Sequence, residues 1–329
     1  MKRTKHKRVI LKIIRACGFL PALMFLCLLM HTHALCEESD VLPPNVKVEI
    51  SDEDKEFTNR ERKAVITITD DKMKKVIKKE YVFKEGKDSF HITVKDASGN
   101  ESTYRSDVYI QDYTAPEVRI VGITDGRIIN GKMNVRIIAS DEWLDREKSY
   151  VRIKGQNSLK EYEYFFRESD AADISDEGAF SDDYYTMFVY LTDMAGNERR
   201  EVISFTINRK GSVFNVDSKN RENIGSISEE ITGFYITEKN LSRIAPEDVR
   251  IIFTHNARVT DLINGTDYRV KETNGSGGYT YTYAFSDELF VKEGVYTISV
   301  STLDEAGNVN DTRFEKESDE IRFAVKKGL

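Results

Sequence analysis

Cysteine is missing from nearly the whole chain: Cys17, Cys27 and Cys36 all stand within the first 36 of 329 residues. The rest can form no intrachain disulfide and no zinc site built on thiolates. Histidine is almost as scarce there, with only His91 and His255. His91 alternates out of phase with the apolar residues of its run, and His255 stands in Thr254-His255-Asn256-Ala257, which reads as a loop. Both are expected to face solvent rather than to act as a base or a metal ligand. Positive charge is short as well. Seven of the 49 Lys and Arg precede Ala16, which leaves 42 basic against 56 acidic residues, a net charge of −14. Such a body is repelled by phosphate backbones, which disfavours a nucleic-acid partner. Asp70-Asp71 and Asp182-Asp183 lack the spacing of a glycosidase acid and base. The glycine-rich Asn274-Gly275-Ser276-Gly277-Gly278 has no strand before it and helix after it to make a phosphate cradle, and reads as a flexible hairpin. No catalytic, cofactor-binding or metal-ligating residue is therefore expected.

Only one long apolar run exists. Behind the basic head Lys2, Arg3, Lys5, Lys7, Arg8, Lys12 and Arg15, the residues Ala16 to Met30 carry no charge, and Thr32-His33-Ala34 follows. This is the layout of a secretory signal peptide. Fifteen uncharged residues fall short of the roughly 20 that span a bilayer, although Val9 to Ile14 can lengthen the segment into a retained signal anchor. In either case the body is exported and touches the membrane only through its N-terminal segment. Cys36 is preceded by Leu35 and His33 where a lipobox needs a small residue and an aliphatic one, which argues against lipidation.

What is present is repetition. Asp96-Ala97-Ser98-Gly99-Asn100, Asp193-Met194-Ala195-Gly196-Asn197 and Asp304-Glu305-Ala306-Gly307-Asn308 are near copies. Each follows apolar residues at every second position: Phe90, Ile92 and Val94; Met187, Val189 and Leu191; Ile298 and Val300. A period-two strand running into a tight turn is implied, with Asp accepting backbone N–H bonds, Gly taking positive φ, and Asn tolerating similar angles. The structural residues of this turn motif are thus Asp96, Gly99, Asn100, Asp193, Gly196, Asn197, Asp304, Gly307 and Asn308. Each unit also opens on a shared pattern: Pro44-Asn45-Val46-Lys47-Val48, Pro116-Glu117-Val118-Arg119-Ile120 and Gly211-Ser212-Val213-Phe214. The next strand of each ends on an acid, Asp70, Asp141 and Glu238, 26, 25 and 27 residues after Pro44, Pro116 and Gly211. Two anchors at nearly fixed spacing define a repeat. From that acid to the turn Asp the distance grows from 26 to 52 to 66 residues, so insertions fall in the central strands and loops. The first unit is expected to be the least stable.

Tyr185 and Tyr296 lie eight residues before their turn Asp. They resemble the tyrosine corner of immunoglobulin-like sandwiches, with Met187 and Ile298 where those domains carry a cysteine. Phe90 stands in a shifted place in the first unit. Together with the Asp-x-Ala-Gly-Asn turn, the joint Asp112-Tyr113-Thr114-Ala115-Pro116 and the joint Arg209-Lys210-Gly211-Ser212-Val213, residues 41–329 are similar to the bacterial Ig-like domains strung along exported proteins, especially of Gram-positive bacteria. The resemblance implies an all-β chain of tandem immunoglobulin-like antiparallel β-sandwiches behind an N-terminal hydrophobic signal or anchor helix. The expected division is 1–36 leader, 41–113 a short first domain, 114–208 a second and 209–329 a third. The function implied is that of a non-enzymatic cell-surface or secreted spacer or adhesive stalk. The alternative is a module that binds a glycan or protein ligand, with an accessory role to a surface enzyme as one form of it.

Two further expectations concern ligands. The joint Asp112 to Pro116 resembles cadherin linkers, a likeness in which Asp70, Asp96 or Asp112 would supply oxygens to calcium at the first joint. The six to eight oxygens that calcium needs are not evident, and a turn that sets the interdomain angle is the competing reading. Two aromatic stretches, Tyr162, Tyr164, Phe165 and Phe166, and Tyr279, Tyr281, Tyr283 and Phe285, can make a carbohydrate platform, but alternating strand aromatics more often fill a sandwich. Trp143 is equally a loop anchor or a core plug. A contiguous exposed aromatic patch in the second or third unit would favour a binder.

Overall fold

Period-two alternation becomes strand in every unit of the computed structural model, which describes residues 40–72, 75–175, 178–312 and 321–328. The leader, its apolar run and all three cysteines lie outside the described residues. Among those described, no helix is long and apolar enough to cross a membrane.

The second unit shows the plan. One sheet has the strand order Ala171–Ser175, Asn134–Ser140, Glu117–Val121. The other runs Arg127–Ile129, Glu198–Ile207, Asp183–Thr192, Tyr150–Gly155, Glu161–Phe165. Val135, Ile137 and Ala139 face Val151, Ile153, Met187, Val189 and Leu191 across the core. Every pairing is antiparallel except Arg127–Ile129, which runs parallel to the end of Glu198–Ile207, a feature that the alternation does not announce. Tyr185 donates its hydroxyl to the Ser181 carbonyl at 2.8 Å, and Tyr296 does the same to Lys292 in the third unit. Strand order and these tyrosine corners make the second and third units immunoglobulin-like sandwiches.

The third unit adds a fourth strand to its first sheet, in the order Val213–Val216, Tyr235–Asn240, Gly278–Phe285, Tyr268–Gly275. Its second sheet runs Ile227–Ser228, Ile321–Val325, Gly294–Asp304, Ile244–His255, Arg258–Asp261, with Val309–Asp311 paired to Gly294–Asp304 off this path. Tyr281, Tyr283 and Phe285 are buried in the core, so that stretch is no ligand shelf. His255 closes a strand rather than lying in a loop, stacked on Tyr296 with ring centroids 4.5 Å apart.

The first unit explains its own shortness. Asn45–Ile50, Lys63–Thr69 and Ile77–Val82 form one sheet. The opposite layer is divided between a three-stranded sheet of Phe57–Thr58, Tyr109–Gln111 and Gly86–Asp88 and the hairpin His91–Lys95, Glu101–Arg105. Among its described residues nothing corresponds to the strands Tyr150–Gly155 and Glu161–Phe165. Its core has six buried apolar residues against nineteen in each of the others, among the described residues.

One sequence alignment needs correction. Phe214 pairs with Glu238 as Val118 pairs with Ala139 and Val46 with Ile68. Glu238 therefore occupies a core position, and Asn240, two residues on, takes the place of Asp70 and Asp141. The unit opens structurally on Ser212, not Gly211, and a one-residue slip in a strand exchanges inside for outside.

Candidate functional site: the repeated turn and the joints

Each turn is built around its Asp. Asp193 accepts the Asn197 N–H at 2.8 Å and the Asn197 side-chain amide at 2.7 Å, and its own N–H donates to the Asn197 carbonyl at 3.1 Å. Asp96 with Asn100 and Asp304 with Asn308 repeat the same bonds. Gly99, Gly196 and Gly307 have φ of +97°, +92° and +84°, angles that a Cβ opposes. Burial works against the charge of Asp96, but the bonds from Asn100 hold its carboxyl below the usual range.

The Asn side chain has a second bond, and this one leaves the hairpin. Asn197 Nδ2 donates to the Asp112 carbonyl at 2.8 Å, and Asn308 Nδ2 to the Asn208 carbonyl at 2.9 Å. Asn100 Nδ2 likewise reaches the Asp40 carbonyl at 3.0 Å. Asp40, Asp112 and Asn208 each stand four residues before Pro44, Pro116 and Ser212. Each turn thus grips the segment that leads into its own unit. The preceding unit holds the same residues from the other side: the Asp112 N–H donates to Thr58 at 3.0 Å and the Asn208 N–H to Ile129 at 2.9 Å. A Cβ placed on Gly196 would lie 3.9 Å from Asn59 Nδ2, and one on Gly307 3.5 Å from Asn130 Nδ2. Asn59 and Asn130 follow the short parallel strands of the first and second units, 15 and 14 residues after Pro44 and Pro116, a repeat that the sequence reading overlooked.

Chemically the two joints differ. At the first, Asp112, Asp141 and Asp193 each bring a carboxylate oxygen within 4.8 Å of the others. Asp112 and Asp193 are buried and Asp141 is partly so. Burial, and then the neighbouring Asp112 and Asp193, raise the Asp141 carboxyl above the ordinary range against the Trp143 N–H bond that favours its charge. Three oxygens are half of what calcium needs. The expected calcium set does not assemble: Asp70 clusters with Asp40 and Asp71 instead. Asn45 pairs with Thr69, so the strand preceding Asp70 ends beside Pro44, and Asn100 ties Asp96 to the same pole. Both lie at the far end of the first unit from Asp112. Trp143 belongs to the joint as well, edge-on to Phe57 of the first unit at 6.5 Å.

At the second joint, amides replace two of the three acids. Asn208 Nδ2 donates to Asn240 Oδ1 at 2.7 Å, Ser242 Oγ at 2.8 Å and Asp304 Oδ2 at 3.1 Å. The Arg209 and Lys210 N–H groups donate to Asp182 at 3.0 and 2.8 Å, and the Tyr184 hydroxyl to the Leu241 carbonyl at 2.6 Å. Beside this network, fully buried Glu238 accepts from Ser212, Thr302 and Tyr283. Burial pushes its carboxyl above the usual range despite those three donors.

No family model matches the chain, and no curated protein matches it. Among solved structures, it is similar to a tetra-tandem repeat in the extending region of a large adhesion protein, at 14% identity and TM-score 0.42, covering 86% of this chain and 74% of that one. A chain from the complex of Dpr2 Ig1-Ig2 with DIP-Theta Ig1-Ig3 is 8% identical with TM-score 0.43, covering 82% and 97%. A structure concerning host cell surface retention of a 1.5-MDa bacterial ice-binding adhesin is 12% identical with TM-score 0.28, covering 83% and 96%.

Proposed function

We propose that this chain is an exported stalk: three immunoglobulin-like domains over 41–113, 114–208 and 209–329, held in a row at the cell surface or in secreted form, non-enzymatic and needing no cofactor. The observation that carries this is the double grip on each joint. The turn Asn of one unit and the end of the short parallel strand of the unit before bind the same residue, Asp112 at the first joint and Asn208 at the second. Linkers bonded on both sides resist bending, which a spacer requires and a set of independently binding beads does not.

Export rests on the basic head and apolar run, whose cleavage is checked by the mass of the mature chain. The mechanical reading is tested by small-angle scattering of the full chain, and of Asn197→Ala with Asn308→Ala. The native chain should give a narrow, elongated distance distribution that the double variant broadens. A native distribution already as broad as the variant's would overturn the stalk.

A further inference from the structure

The outward face of the second unit's larger sheet is furnished in a way that a plain spacer does not require. Cross-strand pairing sets Tyr150 beside Phe165 on one side and Tyr190 on the other, and places Phe188 beside Val202. Phe165, Phe188 and Val202 are exposed at 42%, 41% and 53%. The Tyr150 and Tyr190 rings lie 5.4 Å apart and tilted by 35°. Arg152 sits 5.2 Å over Tyr150 and Arg200 5.6 Å over Tyr190, and each guanidinium also pairs with a carboxylate, Glu163 and Glu198. The rings are thereby held in place before any partner arrives, which lowers the ordering cost of binding.

Along the strand Asp183–Thr192, this face runs toward the third unit and ends in a cleft of about 220 Å³. Gln156 and Tyr184 line it from the second unit, and Asn274, Ser276 and Tyr279 from the hairpin tip of the third. In a chain with 32% charged residues, no charged side chain lines this cleft.

We propose that this face and cleft bind an uncharged glycan. The flat C–H faces of sugar rings stack on exposed aromatic rings, and their hydroxyls pair with planar amides, guanidinia and carboxylates in neutral combination. From Tyr184 to Tyr190 the strand advances about 20 Å, the reach of a short oligosaccharide. Four strands at the usual spacing make the face roughly 15 Å wide, so its area is on the order of 300 Å², well under the roughly 800 Å² that each partner of a stable protein complex contributes. A second copy of the chain is disfavoured by that area, and an acidic or basic polymer by the uncharged cleft.

The test uses the full chain with cellohexaose, chitohexaose and xylohexaose as neutral probes and heparin as a charged one, read by calorimetry, with sedimentation velocity for self-association. At least one neutral hexasaccharide should bind. Tyr190→Ala and Gln156→Ala, both at half-exposed or surface positions, should each weaken that binding tenfold or more with the folded circular-dichroism spectrum retained, and Val213→Ser on the third unit should not. The proposal fails if none of the neutral probes binds or if both variants bind as the native chain does. It fails equally if heparin is preferred, or if the native chain forms a dimer that Tyr190→Ala abolishes.

Discussion

Replacing Asn197 by Ala removes one side-chain amide and leaves the hairpin backbone free to keep its own bonds. Two interactions disappear: the bond to the Asp193 carboxylate at 2.7 Å and the bond to the Asp112 carbonyl at 2.8 Å. A bond to a charged acceptor is worth about 1.5–3 kcal/mol, and a carbonyl stripped of its partner costs about 1–3 kcal/mol when water cannot replace it. Asp112 is only 2% exposed, although the Ala side chain opens a path for water, so the net loss should be about 2–3 kcal/mol. For a domain of this size that is a fall of roughly 10–20 °C in Tm. Trp143 is the only tryptophan and sits at this joint against Phe57 of the first unit, so its fluorescence reports the first joint and not the second. The Trp143 transition should fall by that amount in Asn197→Ala and stay in place in Asn308→Ala, whose lost grip is on the other joint. An unmoved transition in the first variant, or equal shifts in both, would refute the account of the joint as a local hydrogen-bonded clamp.

Gly196→Val should destabilise the second unit by more than about 1 kcal/mol, because φ of +92° opposes a β-branched side chain; an unchanged melting curve would contradict it. Asp141→Asn should raise the Tm of the second unit at pH 7 by relieving carboxylate crowding, and a chelator should leave the native transition where it is. A drop on chelation, together with a destabilising Asp141→Asn, would instead assign a divalent cation to Asp112, Asp141 and Asp193. Glu238 has a folded pKa above its ordinary 4.5, so folding favours its protonated form. That contribution is complete below pH 4.5 and is lost as pH rises through the folded value. Glu238→Gln should therefore stabilise the third unit at pH 7 and have little effect at pH 4, as thermal melts at the two pH values would show.

Much of the fold is written in local pattern. The parity of Met187, Val189 and Leu191, the turn that follows them, and the Tyr185 corner are consequences of neighbours within a few residues. Parity also separates the buried Tyr281, Tyr283 and Phe285 from ligand-facing aromatics, once the sandwich is assumed to need filling. What local pattern cannot supply is the partner across a long loop. Asn197 meets a carbonyl 85 residues earlier and Asn308 one 100 residues earlier, so the turn reads as a closed motif when half of its bonding is elsewhere. Glu238 differs from Asp70 and Asp141 for a related reason: a spacing count fixes position along a strand only to within a residue or two, and two residues on the same face separate a core position from the strand end. The aromatic face of the second unit draws Phe165, Tyr150 and Tyr190 from three strands, and only their pairing register brings them together.

The grip of each turn on its own lead-in also orders events in time. If the chain is exported as proposed, threading from its N-terminus delivers Asp112 long before Asn197, and Asn208 long before Asn308. The preceding unit can hold Asp112 or Asn208 at once, but the second half of each grip must wait until the last hairpin of the unit beyond has emerged and folded. Each unit therefore completes the grip on the connection behind it only upon its own completion, and a growing chain trails one half-tied segment. Misfolding of the third unit would leave the first joint sealed and only the second open, so damage late in synthesis would spare everything already outside.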